Sequence, residues 1–232
     1  MRSRSRMVSG LLALAFVAGC ASTEVADQKI LVTGKLPRPN RILVYNFAAT
    51  PADAPELASH TAGSPPQTAQ EIQAGRQLGA HIAGLLAAEI RDMGLAGAEV
   101  PIGTPARLND IIIKGYLLSV QEGSATKRMA LGFGAGASEL QTAVEGFQMT
   151  SQGLRKLGSG NVDSAGNTTP GAAVGVVGLI ATGNPAGLLV STGMKAYGET
   201  SGSSGIEGRA AATAKEIADL IKPRFQEQGW IQ

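Results

Sequence analysis

Few residues in this chain are of a type that does covalent or acid–base chemistry. There is one cysteine, Cys20, and there are two histidines, His60 and His81. Neither histidine has a second ligand at metal-binding spacing, and no serine stands in a nucleophile-elbow pattern. No nucleophile is paired with a base, so no catalytic residue, metal or cofactor is expected. The most suggestive internal stretch is Lys127-Arg128 followed by Gly132, Gly134 and Gly136. Glycines beside two cations have the composition of an anion-binding loop, but no lysine follows them and the next residues alternate like a strand. Their expected role is geometric, permitting positive φ and close backbone approach while the chain reverses. A weak ligand site at Lys127 and Arg128 is the lesser alternative.

Cys20 has a different context. Arg2, Arg4 and Arg6 form a basic n-region, residues 8–17 an apolar h-region, and Val17, Ala18 and Gly19 lead into the cysteine. The pattern resembles a bacterial lipobox. The resemblance implies a signal peptide over 1–19, cleaved before a Cys20 that carries diacylglycerol on sulfur and a further acyl chain, such as palmitate, on its amine. Each buried methylene contributes about 0.8 kcal/mol, so more than one chain gives stable membrane attachment. The apolar run is too short for a transmembrane span. Ala21, where Asp usually signals inner-membrane retention in Gram-negative lipoproteins, resembles the class sorted to the outer membrane, facing the periplasm.

Losing the signal also changes the electrostatics. Of 20 basic residues three are the n-region arginines, so the remainder carries one acidic residue in excess of the basic ones. With charged residues at 16% and aromatics at 4%, the chain reads neither as a nucleic-acid binder nor as an aromatic-rich recognition module. A lipidated lone cysteine leaves no internal disulfide.

The elements expected to carry the domain follow from pattern. Residues 20–40 are polar, end in Pro37-Arg38-Pro39 and suit a lipidated tether. Ile42-Leu43-Val44-Tyr45-Asn46-Phe47 is a short apolar run of central-strand type, and the proline-rich stretch 48–68 is a loop. A helix is expected over 68–93, capped by Thr68 with Glu71 three residues on, striped by Ile72, Gly79, Ile82, Leu86, Ile90 and Met93, and stopped by Gly94. His81 falls near the edge of that stripe. A short strand near 98–101 precedes the long β-branched run 111–120. After the glycine-rich connection a half-exposed strand spans 138–148, with Leu140, Thr142 and Val144 on one side. A turn at Gly153 leads to a weaker edge strand whose edge charges are Arg155 and Lys156.

Residues 171–192 depart from all this. Gly171 and Gly175, then Gly183 and Gly187, stand four apart among Ala, Val, Leu and Ile, the spacing that lets helix backbones approach closely. A membrane-inserting or oligomerising helical hairpin, two short helices packed on the sheet, and a mobile insertion all fit. A final helix begins at Ile206, where Ile206-Glu207-Gly208-Arg209 coincides with a protease site used in expression vectors. The stripe Ile206, Ala210, Ala214, Ile217, Ile221 and Phe225 favours a native helix. Pro223 should kink or tighten it, and Gly229 should stop it before a Trp230 plug.

The stretch from Arg41 to Phe47, the segment from Gly123 through Lys127-Arg128 to Ser138, and the C-terminal helix together resemble a family of Gram-negative lipoproteins known only as a domain of unknown function. More remotely, the arrangement resembles the α/β domain of the curli-secretion channel lipoprotein and the N-terminal domain of the Tol–Pal propeller protein. Fold likeness does not fix function. The expectation is one α/β (α+β) domain over 41–230: a mixed sheet of four to five strands, two main amphipathic helices packed on it, and a Gly/Ala-rich helical insertion. As function, a non-enzymatic protein-binding or self-assembling envelope component is expected, with an oligomeric secretion-pore component as the alternative.

Overall fold

The computed structural model describes residues 23–54, 68–121, 139–165, 189–190 and 206–232. In chain order the elements are β1 (Thr23–Ile30), β2 (Ile42–Tyr45), α1 (Ala69–Asp92), β3 (Gly97–Val100), β4 (Ile111–Gln121), β5 (Glu139–Thr150), β6 (Gly153–Ala165), β7 (Leu189–Val190) and α2 (Ile206–Gln228). The strands form one mixed sheet in the order β1-β6-β5-β4-β2-β3, with β7 also paired to β4. Strands β3, β2 and β4 run parallel, and β4, β5, β6 and β1 alternate in direction. Parallel neighbours need a crossover, which α1 supplies between β2 and β3.

Local sequence explains both helices. The Thr68 hydroxyl accepts from the Glu71 N–H at 3.3 Å and the Glu71 carboxylate accepts from the Thr68 N–H at 2.8 Å, the reciprocal capping box. Gly94, at φ 82°, ends α1, and Gly229, at φ 74°, follows α2, both in the left-handed region open to glycine. Leu78, Ile82, Leu86 and Ile90 of α1 are fully buried, whereas Ile72 and Met93 at its two ends are only half-buried and His81 is exposed. On α2 the expected stripe is buried, with Ile221 half-buried, and the helix continues past Pro223 to Gln228. Arg209 and Thr213 are buried on the same face.

Both helices cover one face of the sheet, packing on Ile42 and Val44 of β2, Ile111, Ile113, Leu117 and Val120 of β4, Leu140 and Val144 of β5, and Val162 of β6. Burying such a side chain contributes about 1.5–3 kcal/mol, so this layer is the main stabilising core. A smaller cluster, Ala48, Ala54, Tyr116, Leu118 and Ala143, lies on the opposite face. The starts of β2 and β4 are tied by Asp110, whose buried carboxylate accepts from Arg41 at 2.5 Å and from the Arg107 N–H at 2.8 Å.

The α+β class is as expected, but among the described residues the sheet already has seven strands rather than four or five. Residues 20–40, expected as a tether, contain β1, which pairs with β6 from Thr23↔Ser164 to Ile30↔Gly158. Strand β6 is therefore an interior strand, and the sheet edge lies at β1. Residues 31–36 continue along α2: the Leu36 N–H donates to Gln228 at 2.6 Å and Arg224 donates to the Val32 carbonyl at 2.9 Å. Within the stretch expected as a helical insertion, Leu189 and Val190 are strand, because β4 outruns β2 and its free edge at Ser119 and Val120 accepts a parallel partner.

Register defines the two ends of the sheet. Thr23, Ser164, Leu140, Val120 and Val190 form one row across it, while Arg155, Gln148, Ile111, Ile42 and Gly97 form the other. The connections 122–138 and 166–188 begin and end at the first row, and 191–205 begins there. Trp230, just past the C-terminal end of α2, donates to the Leu36 carbonyl, and Asn109, beside the second row, donates to the Arg38 carbonyl two residues on, while Leu220 of α2 lies over Gly160; α2 thus runs from the first row towards the second as well. Helix α1 runs the same way, from Gly79 beside Phe47 to Ile90 beside Gly97.

Candidate functional site

Strand alternation sends Tyr45 of β2, Lys114 and Tyr116 of β4, Glu145 and Phe147 of β5 and Lys156 of β6 to the face opposite the helices. Part of this face is a cleft of about 240 Å³ lined by Tyr45, Asn46, Asp53, Lys114, Tyr116 and Leu154. Its polar groups are engaged by residues around its rim. The Tyr116 hydroxyl donates to Glu145 Oε2 at 3.0 Å, Lys156 pairs with the other oxygen of Glu145, and the Tyr45 hydroxyl donates to the Thr104 carbonyl. Lys114 Nζ stands 5.4 Å from the Phe147 ring centroid, a cation–π distance.

Electrostatics follow from these contacts. Burial raises the Tyr45 phenol above its ordinary pKa, opposed by Lys114 and aided by Asp110, so the phenol is a neutral donor at pH 7. Burial also acts to raise Asp53, yet hydrogen bonds from Arg76 at 2.7 Å and from Thr50 at 2.8 Å hold its carboxyl below the ordinary range. The arrangement offers fixed hydrogen-bonding groups and charges of both signs beside the exposed Leu154, which is the chemistry of recognition. Among the described residues no group of three or more His, Cys, Asp or Glu is placed to hold a metal ion, and no helix is long and apolar enough to cross a membrane.

A second hollow, of about 150 Å³, lies between the sheet and the second half of α2. Gly146, Gly158 and Gly160 leave its floor without side chains, and Ile113, Val144, Leu220, Phe225 and Trp230 are among its walls. Its lining is mainly apolar, with Gln28, Lys29, Ser159, Arg224 and Gln228 also contributing to it. Closer to the start of α2, burial lowers the pKa of the Arg209 guanidinium, and Ser164 Oγ and Thr213 Oγ1 have no hydrogen-bond partner among the described residues.

The residues put forward from sequence fall elsewhere. Val17, Ala18, Gly19 and Cys20, the ligand candidates Lys127, Arg128, Gly132, Gly134 and Gly136, the packing glycines Gly171, Gly175, Gly183 and Gly187, and His60 all lie outside the described residues. The flanks of 122–138 are described: Gln121 and Glu139 pair as antiparallel neighbours, as two strands joined by a reversal require. Sequence reasoning missed the open-face cluster. Its signal was the polar residue inside each apolar strand, since Lys114 and Glu145 are direct cross-strand partners, but that register is visible only in the sheet.

The chain belongs to the family defined by the domain of unknown function DUF4410, whose model matches residues 42–183. Among solved structures it is similar to a PelC variant dodecamer from Paraburkholderia phytofirmans, at 12% identity and a TM-score of 0.41 over 87% of this chain and 96% of that one. It is also similar to a PelC dodecamer from the same organism in another crystal form, at 13% identity and a TM-score of 0.39 over 87% and 97%. No curated protein matches the chain.

Proposed function

We propose that this chain is an outer-membrane lipoprotein facing the periplasm, which acts without catalysis by binding another envelope protein or further copies of itself. The observation that carries the reading is the basic n-region, apolar h-region and Val17-Ala18-Gly19 sequence ahead of the only cysteine. Ala21 supports the outer membrane as destination. A binding role is supported by the open face, where Tyr116 and Lys156 both engage Glu145 and Lys114 stands over the Phe147 ring, beside an exposed leucine. The test is the mass of the N-terminal peptide of protein extracted from membranes, together with fractionation of Cys20→Ser. A diacylglyceryl-modified, acylated Cys20 and transfer of the variant to the soluble periplasmic fraction are expected. An unmodified cysteine would refute the anchor, and turnover that depends on a single side chain would refute the non-catalytic role.

A second reading, an oligomeric component of a secretion or export pore, is favoured by one observation. Gly171 and Gly175, and Gly183 and Gly187, have close-packing spacing in an apolar stretch. It predicts a defined oligomer in detergent that is lost when Gly175 and Gly187 are both changed to Leu. A monomer in detergent would remove this reading.

A further inference from the structure

We propose that the end of the sheet carrying Thr23, with the N-termini of both helices, is the face of the domain apposed to the lipid bilayer. This rests on the lipidation of Cys20 proposed above and goes beyond it by fixing which way the domain stands on the membrane.

The argument is one of chain length. Only Ala21 and Ser22 separate Cys20 from Thr23. Three residue steps span at most about 11 Å when fully extended. Thr23 is the first residue of β1, already paired with Ser164 and through it in register with Leu140, Val120 and Val190. The first row of the sheet is therefore leashed directly to the lipid. The second row, at Ile111, is nine residues along β4 from Val120, about 30 Å at 3.3 Å per residue. The leash is too short by nearly threefold to put that end on the membrane with Cys20 inserted.

Two further features agree. Helices α1 and α2 both begin at the first row, so the positive ends of their dipoles face the anionic headgroup layer. The tight turn at Ser151 and Gln152 lies at the opposite end, where the chain presents no attachment. The remaining geometry is a domain lying on its β1 edge, which would bring the exposed Leu31 down to the bilayer.

The test uses the full, lipidated chain in phosphatidylethanolamine–phosphatidylglycerol vesicles bearing headgroup nitroxides. Lipid occupies the Cys20 sulfur, so a fluorophore can be placed on a single introduced cysteine at Gln70, in the first turn of α1, at Gln152, or at Leu31; all three positions are exposed. Loss of most of the fluorescence at Gln70 with none lost at Gln152 or Leu31 is expected. Equal or greater loss at Gln152 overturns the orientation, and loss at Leu31 replaces it with the edge-on geometry; both leave the anchor standing. Failure to float with vesicles, with an unmodified Cys20, overturns both readings. Inserting about 20 Gly/Ser residues between Ala21 and Ser22 extends the leash to roughly 25 Å. The contrast between Gln70 and Gln152 should then disappear, and its persistence would show that the leash does not set the orientation.

Discussion

Gly79 and Phe47 meet backbone to backbone: the Phe47 N–H donates to the Gly79 carbonyl at 3.1 Å, and a Cβ at position 79 would stand 2.2 Å from the Phe47 carbonyl oxygen. Helix α1 crosses the end of β2 at a distance open only to a residue without a side chain. On the other side, the Phe47 ring lies over Gly115 of β4, where a Cβ would be 2.3 Å from a ring carbon. One buried phenylalanine, given room by two glycines, thus joins helix, strand end and neighbouring strand.

Gly79→Ala should therefore destabilise the protein although alanine is the better helix former. The propensity gain is about 1 kcal/mol, whereas overpacking against backbone costs about 1–3 kcal/mol and has no flexible side chain to absorb it. Gly84→Ala, on the same helix, meets nothing closer than Glu99 Oε2 at 3.5 Å and should keep the gain. The urea midpoints of the two variants should move in opposite directions. A rise in both would mean that α1 and β2 are further apart than described.

Trp230 is the only tryptophan, is 4% exposed, tilts against Phe225 with ring centroids 5.3 Å apart, and donates from Nε1 to the Leu36 carbonyl at 3.3 Å. It closes the far end of the helix layer and fixes residues 31–36 to α2. Trp230→Ala should cost about 3–5 kcal/mol, and Trp230→Phe less, because the ring contact survives while the hydrogen bond is lost. Native emission should be that of an indole out of water, shifting to the red in the same urea transition that abolishes helical circular dichroism. Solvent-exposed emission from the native protein would contradict this packing.

The elements legible in the sequence are those specified locally. Thr68 and Glu71 cap α1 three residues apart, Gly94 and Gly229 mark the helix ends, and the stripes on both helices repeat within a few residues. Strand β1 was not legible: Thr-Glu-Val-Ala-Asp-Gln-Lys-Ile has the polarity of a linker, and what makes it a strand is pairing with residues 158–164 far along the chain. The two-residue β7 owes its existence to the unpaired stretch of β4 beyond β2. The same reasoning covers the candidate site. Lys114, Tyr116, Glu145 and Lys156 come together through register, whereas the motifs that stood out by composition, Cys20 and the Lys127 to Gly136 stretch, lie outside the described residues.

Acid should weaken the fold through two carboxylates. Glu71 is lowered from its ordinary 4.5 by the backbone and side-chain hydrogen bonds of Thr68, and Asp53 is lowered from 3.8 although burial opposes the shift, because Arg76 and Thr50 donate to it. A carboxylate whose folded pKa is depressed contributes stability that is fully present above its unfolded value and is lost as pH falls through the folded value. These groups should leave stability flat from about pH 8 to about pH 6 and reduce it progressively below about pH 4.5. Asp53→Asn together with Glu71→Gln, which removes both titrating carboxylates, should flatten that acid limb. An unchanged slope of urea midpoint against pH would assign the acid sensitivity to other groups.

The hollow beneath α2 makes the last prediction, from two glycines on its floor. At Gly146 a Cβ meets nothing within 4 Å, and its φ lies outside the positive range. Gly146→Ala should then bury a methyl for about 0.8 kcal/mol and gain about 0.4–1 kcal/mol by restricting the unfolded chain, a net stabilisation. At Gly158 the added atom would lie 2.6 Å from the Lys29 carbonyl oxygen, which is backbone of β1. Gly158→Ala should cost about 1–3 kcal/mol by pushing the edge strand outward, with faster amide exchange confined to the β1 and β6 pairing. The opposite pattern, with Gly146→Ala destabilising and Gly158→Ala neutral, would mean that β1 does not close the sheet and that the hollow is already filled.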